Sequence, residues 1–179
     1  MRDFWVFGYG SLMWRPGFPY LDARPATLHG AHRALCVFSH VHRGTPERPG
    51  LVLGLDHGGS CRGIAFRVAG SARDDVIAYL RAREQVTLVY REVERAIRPA
   101  ARVAGVTLPA QALCYMVDRT HPQYAGVLPL EQQIGLVRQG LGQSGANPDY
   151  VRSTVAHLRE LGIHDRTLEA IVSALDDKK

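Results

Sequence analysis

Every strand-like pattern in this chain ends by Val117, and three of its four helix-like patterns lie after it. That order excludes a doubly wound sheet, which needs strands and helices in regular alternation. Phe4–Phe7 is a short apolar run stopped by Gly8, the mark of a buried strand. Ala26–Ser39, Leu51–Asp56, Cys61–Val68, Leu88–Arg98 and Gln111–Val117 also read as strands. Between two of them, His40–Gly50 carries Gly44, Pro46, Pro49 and Gly50, a loop composition whose length invites a functional reason. Ser71 and Asp74 resemble a capping box opening a helix through about Arg83, with Val76, Ile77 and Leu80 as its apolar stripe. Leu130–Leu141 reads as a second helix. Asn147-Pro148 supplies a cap and a first-turn proline for a third, reaching Leu161. Leu168, Ile171, Val172 and Leu175 mark a fourth. The class is therefore α+β. With no internal repeat and no linker, residues 1–179 are expected to form a single domain, long enough to bury a real core.

The net charge of +5 raises the question of a nucleic-acid partner, but the arginines are scattered and no block of like charge forms. A nucleic-acid role is therefore not expected. A mild pull on a small acidic substrate fits the same charge. Cys36, Cys61 and Cys114 are odd in number and far apart, so reduced, half-buried thiols in a cytoplasmic protein are expected rather than disulfides or a zinc site. No stretch approaches the length of a membrane span, and the apolar run near the N-terminus is too short for a signal peptide, so no membrane partner is expected.

Gly8-Tyr9-Gly10-Ser11-Leu12 ends the first strand. Glycines flanking one residue leave successive backbone amides open to a ligand. Nucleotide motifs fail on spacing: position 13, where a dinucleotide fingerprint needs glycine, is Met13, and no Gly-Lys-Ser/Thr occurs. Gly142-Gln143-Ser144 is followed by Gly145-Ala146 and so misses the nucleophile-elbow pattern. The eight histidines form no strong metal-ligand spacing, and no metal or cofactor is expected. Glu84 stands at the C-terminal end of the helix that closes near Arg83. There the helix dipole disfavours its ionised form, which suits a general base, while Arg81 and Arg83 oppose that effect if they are near.

Val6-Phe7-Gly8-Tyr9-Gly10-Ser11-Leu12-Met13-Trp14 closely resembles the opening of the ChaC-like γ-glutamylcyclotransferases. Similar to the same family, in order, are His42-Arg43-Gly44-Thr45-Pro46, Arg83-Glu84 with Tyr90 following, His121-Pro122-Gln123-Tyr124-Ala125-Gly126, Ser144-Gly145 and Asn147-Pro148-Asp149-Tyr150. The resemblance implies the γ-glutamylcyclotransferase-like fold, a small mixed β-barrel with flanking helices. It implies cleavage of glutathione to 5-oxoproline and Cys-Gly. It also implies that Val6, Phe7, Gly8, Tyr9, Gly10 and Ser11 bind the γ-glutamyl group, with Arg43, Tyr90 and Tyr124 as further substrate contacts and Glu84 as the proton acceptor. Two alternatives stay open at this point: action on other γ-glutamyl amines or amino acids, and a non-catalytic binding or regulatory protein on the same fold. Retention of Glu84 argues against the second. The oligomeric state is not legible in the sequence.

Overall fold

Five segments rich in alternating apolar residues close on themselves as a barrel. A computed structural model of the chain describes residues 2–85, 87–99 and 110–177. The barrel strands are β1 (Phe4–Gly8), β2 (Asp22–Ser39), β3 (Gly50–Val68), β4 (Tyr90–Pro99) and β5 (Ala110–Val117). Their order around the barrel is β1-β3-β2-β4-β5. β1 is antiparallel to β3, from Phe4 opposite Val68 to Gly8 opposite Ile64. It is parallel to β5, with Val6 opposite Leu113. β4 runs antiparallel to both β2 and β5.

Contacts group the described residues into two compact units, one within Met1–Ala34 and Gly54–His121, the other within Leu35–Leu53 and Pro122–Lys179. The chain passes between them along β2 and β3. In the first unit Val6, Phe7, Leu28, Leu55, Ile97 and Tyr115 are fully buried. Helix α1 (Arg73–Glu84) adds Val76 and Leu80 to that core. In the second unit α2 (Leu130–Gln139), α3 (Asn147–Glu160) and α4 (Arg166–Asp176) pack on one another. Val137, Val151, Leu158, Leu168 and Ile171 form their shared interior. Each such fully buried aliphatic side chain contributes about 1.5–3 kcal/mol.

Several sequence expectations are corrected. Leu51–Asp56 and Cys61–Val68 are parts of one strand, β3. Gly58 (φ +95°) and Gly59 (φ +71°) adopt left-handed backbone within the strand, so this turn-like pair bends the strand instead of ending it. Ser71 is not a cap. It lies in a 3-10 turn, Gly70–Ala72, and α1 begins after Ala72 with no side-chain cap. Asn147 is not a cap either, since Ala146 holds that position. Its side chain instead accepts from the Leu51 amide (2.7 Å) and donates to the Leu51 carbonyl (2.8 Å). Leu141 falls outside α2 and opens a small hairpin, β6 (Leu141–Gly142) with β7 (Gly145–Ala146). The three cysteines are free, as expected, but fully rather than half buried. Burial pushes the Cys114 thiol up to about 12, which leaves it inert as a nucleophile.

The loop 40–50 is held by backbone. The Gln143 and Ser144 amides of the hairpin turn donate to the Val41 (2.8 Å) and His42 (2.9 Å) carbonyls. This contact needs glycine at 142: a Cβ there would lie 2.4 Å from the Val41 carbonyl oxygen and 2.7 Å from the Arg43 amide nitrogen. Gly142→Ala is therefore expected to destabilise the protein by about 1–3 kcal/mol, since backbone on both sides cannot yield cheaply. Gly135→Ala in α2 has the opposite expectation. Its added methyl meets nothing within 4 Å, and replacing a mid-helix glycine gains about 0.5–1 kcal/mol. Urea unfolding of both variants checks the pair.

Candidate active site

The candidate site grows from the last turn of α1 and the turn that follows β1, both in the first unit. α1 ends on Glu84 because Gln85 caps it, the Gln85 amide donating to the Arg81 carbonyl at 3.0 Å. Arg81, Arg83 and Glu84 thus project from one helical turn, yet the two arginines meet different carboxylates.

Arg81 reaches β4 and grips Glu92 with two hydrogen bonds, 2.8 and 2.9 Å. Glu92 also accepts from the Tyr115 hydroxyl at 3.2 Å. These bonds, with Arg81 first, hold the Glu92 carboxyl below its ordinary value. Burial, followed by the charge of Glu92, holds the Tyr115 phenol well above its ordinary range. Tyr115 therefore stays a neutral donor at physiological pH. Glu84 differs from Glu92. Its side chain is only 18% exposed, and burial pushes its carboxyl up from the ordinary value while the Arg83 guanidinium pulls it back. The helix C-terminus acts in the same direction as burial.

The glycine turn is anchored from two sides. After Gly8, which is buried opposite Ile64, the chain enters a 3-10 turn over Ser11–Met13. Arg33 on β2 donates from Nε to the Tyr9 carbonyl (2.6 Å) and from its terminal nitrogen to the Arg62 carbonyl (2.7 Å). Arg83 donates to Ser11 Oγ at 3.0 Å while its Nε lies 3.3 Å from Glu84 Oε1. A single guanidinium thus joins the turn to the candidate base. Arg83 links Ser11 to Glu84, and Gly8, Tyr9 and Gly10 precede Ser11 in the same turn. Val6 and Phe7 carry the turn but bury their own side chains completely in the core. Tyr90 opens β4 opposite Val117, and its carbonyl accepts from the Gln85 side chain at 3.4 Å.

Arg43 and Tyr124 belong to the second unit. The Arg43 amide donates to Ser39 Oγ (2.9 Å), and its guanidinium donates to the Ala146 carbonyl (3.3 Å) and lies over the Tyr150 ring, 5.4 Å from the centroid. Tyr124 forms a β-bridge with Val37. Sequence reading missed Arg33 and the Tyr115–Glu92 pair. Neither sits in a local motif, and the partners of Arg33 are 24 and 29 residues away. Among the described residues no group of three or more His, Cys, Asp or Glu side chains gathers as for a metal ion.

Comparison with known proteins extends this picture. A family model described as ChaC-like protein matches residues 4–178. The chain is 34% identical over 175 residues to a protein of Rattus norvegicus named glutathione-specific gamma-glutamylcyclotransferase 1, covering 96% of this chain and 78% of that one. It is 31% identical to the glutathione-specific gamma-glutamylcyclotransferase of Escherichia coli (strain K12), over 94% of this chain and 71% of the relative. A crystal structure of a yeast γ-glutamyl cyclotransferase specific to glutathione superposes with a TM-score of 0.84 at 20% identity, covering 98% of this chain and 96% of that one. That structural likeness bears out the fold expected from the sequence: a closed barrel with flanking helices.

Proposed function

We propose, since the chain belongs to the ChaC-like protein family, that it is a glutathione-specific γ-glutamylcyclotransferase that releases 5-oxoproline and Cys-Gly. The observation that carries the reading is the part-buried Glu84 carboxylate tied through Arg83 to the Gly-Tyr-Gly-Ser turn. Relatives over most of the chain carry the same activity in their names.

The chemistry asks little covalent work of the protein. The substrate's own glutamyl α-amine attacks its γ-carbonyl carbon, a five-membered lactam closes, and the C–N bond to cysteine breaks. Three tasks remain. The chain must hold the glutamyl group folded, and orienting an intramolecular attack lowers the barrier by several kcal/mol. It must remove a proton from the α-ammonium. Glu84 does this, and its raised affinity for protons brings it nearer to matching an amine than an ordinary surface glutamate. It must stabilise the tetrahedral oxyanion. The amides at the head of the Ser11–Met13 turn, which have no helical carbonyl before them, are the donors in this reading. Protonated Glu84 then returns its proton to the departing amine, and the second proton that the attacking nitrogen sheds on becoming the lactam N–H passes to water, so the base ends the cycle as it began.

A cytoplasmic setting completes the proposal. Cys36, Cys61 and Cys114 are all free, as in a compartment that keeps thiols reduced. Among the described residues no helix is long and apolar enough to cross a membrane.

The test is direct. Purified protein incubated with reduced glutathione is expected to form 5-oxoproline and Cys-Gly in equal amounts. Release of free glutamate would replace cyclisation by hydrolysis and overturn the mechanism. Equal turnover of γ-glutamyl amines or other γ-glutamyl amino acids would overturn the glutathione specificity alone.

A further inference from the structure

The Arg83 guanidinium meets more polar partners than the ion pair with Glu84 requires. Its NH1 donates to the Arg15 carbonyl (2.6 Å), the Pro16 carbonyl (3.2 Å) and the Tyr79 hydroxyl (3.0 Å), and its NH2 to Ser11 Oγ (3.0 Å). Its Nε faces Glu84 Oε1 at 3.3 Å. Tyr79 lies one helical turn before Arg83 on α1, and its ring packs edge-on to Phe18 at 6.3 Å between centroids. The whole segment from Ser11 to Phe18 is therefore strapped to the last turn of α1. Such a fork of donors is beyond lysine, which offers a point charge on a flexible stem.

We propose that Arg83 is a positioning residue for the reaction: one guanidinium holds the glycine turn and the Glu84 carboxylate in register, so that base and amide donors address the same substrate. The inference rests on the reading of Glu84 as the base. It assigns Arg83 two separable tasks. The fork places the turn. The charge lies beside Glu84, where it opposes burial and keeps the carboxylate able to accept a proton at lower pH than burial alone would permit. The groups that face Glu84 electrically are Arg83 from its own helix and Tyr115 from β5, whose phenol stays neutral. Arg81 is engaged with Glu92 on β4. Arg33 secures the same turn from β2 at the Tyr9 carbonyl, so the turn is pinned at both ends.

Initial rates with reduced glutathione across pH, with melting curves, for wild type, Arg83→Lys, Arg83→Gln and Glu84→Gln test this. Loss of several charge-assisted hydrogen bonds is expected to lower kcat about tenfold or more in both Arg83 variants. Removal of a cation beside a carboxylate raises its pKa, so the acid limb of the Arg83→Gln profile is expected to move to higher pH. In Arg83→Lys the charge remains and the limb is expected to stay near that of wild type. An Arg83→Gln protein whose limb is unmoved, or whose loss of rate only tracks its folded fraction, overturns the inference while leaving Glu84 as base. If Arg83→Gln does not fold, Arg83→Lys decides alone: wild-type kcat and KM would show that the fork is dispensable. Wild-type turnover in Glu84→Gln sinks the base reading itself, an outcome separate from either Arg83 result.

Discussion

Glu84→Gln is expected to lower the turnover of glutathione by about 10²-fold or more while the protein melts at the wild-type temperature or above it. Glutamine keeps the size of the side chain and its hydrogen-bonding capacity but cannot accept the α-ammonium proton. The stability arm follows from the direction in which Glu84 is shifted. Burial raises its folded-state pKa above the unfolded value of 4.5. A carboxyl raised in this way gives stability that is complete below the unfolded pKa and is lost as pH rises through the folded one. At neutral pH wild type has lost that contribution, and a neutral amide avoids the loss. Activity has the opposite demand, because the base must be ionised, so kcat is expected to fall as pH drops through the same folded pKa. Glu84→Asp retains the base but withdraws it by one methylene and is expected to lose rate as well. Rate and melting curves on one preparation separate these arms. Near-normal turnover in Glu84→Gln would make Glu84 a partly buried structural carboxylate.

Asn147→Ala is expected to be the most damaging single change to stability, about 3 kcal/mol or more. Asn147 is fully buried and completes the backbone hydrogen bonding of Leu51 on both sides, as donor and as acceptor. Alanine leaves one amide and one carbonyl buried without partners, each costing about 1–3 kcal/mol. One turn further along α3, the Tyr150 hydroxyl accepts from the Leu53 amide at 3.1 Å. Helix positions i and i+3 thus serve strand positions i and i+2. Tyr150→Phe removes the hydroxyl that the Leu53 amide meets and is expected to cost about a third as much. Denaturant unfolding of both variants checks the ranking. A change below about 1 kcal/mol in Asn147→Ala would show that the strand end finds other partners readily.

These cases show where local pattern is informative. The apolar run Phe4–Phe7 and the helical stripe of Val76 and Leu80 were legible, because each repeat in the sequence records which face of that segment is buried. Glu84 at a helix terminus was legible for the same reason. Asn147 was misread because an asparagine before a proline fits a helix cap. The competing partner, Leu51, lies 96 residues away and has no signature in that window. Leu51–Asp56 and Cys61–Val68 read as two strands because the polar, glycine-rich residues between them carry no strand pattern, although the strand runs through them.

The amino-acid sequence alone determined the α+β class, the order of strands and helices, the glycine turn after the first strand, the carboxylate at the end of α1, and the family resemblance. All of these are properties of short windows or of motifs in order. Tertiary structure alone decided which arginine meets which carboxylate. Arg81 goes to Glu92, and Arg83, one helical position from Glu84, spans 72 residues back to Ser11. It also brought Arg33 to the Tyr9 carbonyl. A guanidinium has reach and five donors, so its partners follow from where the barrel closes and not from its neighbours in the chain.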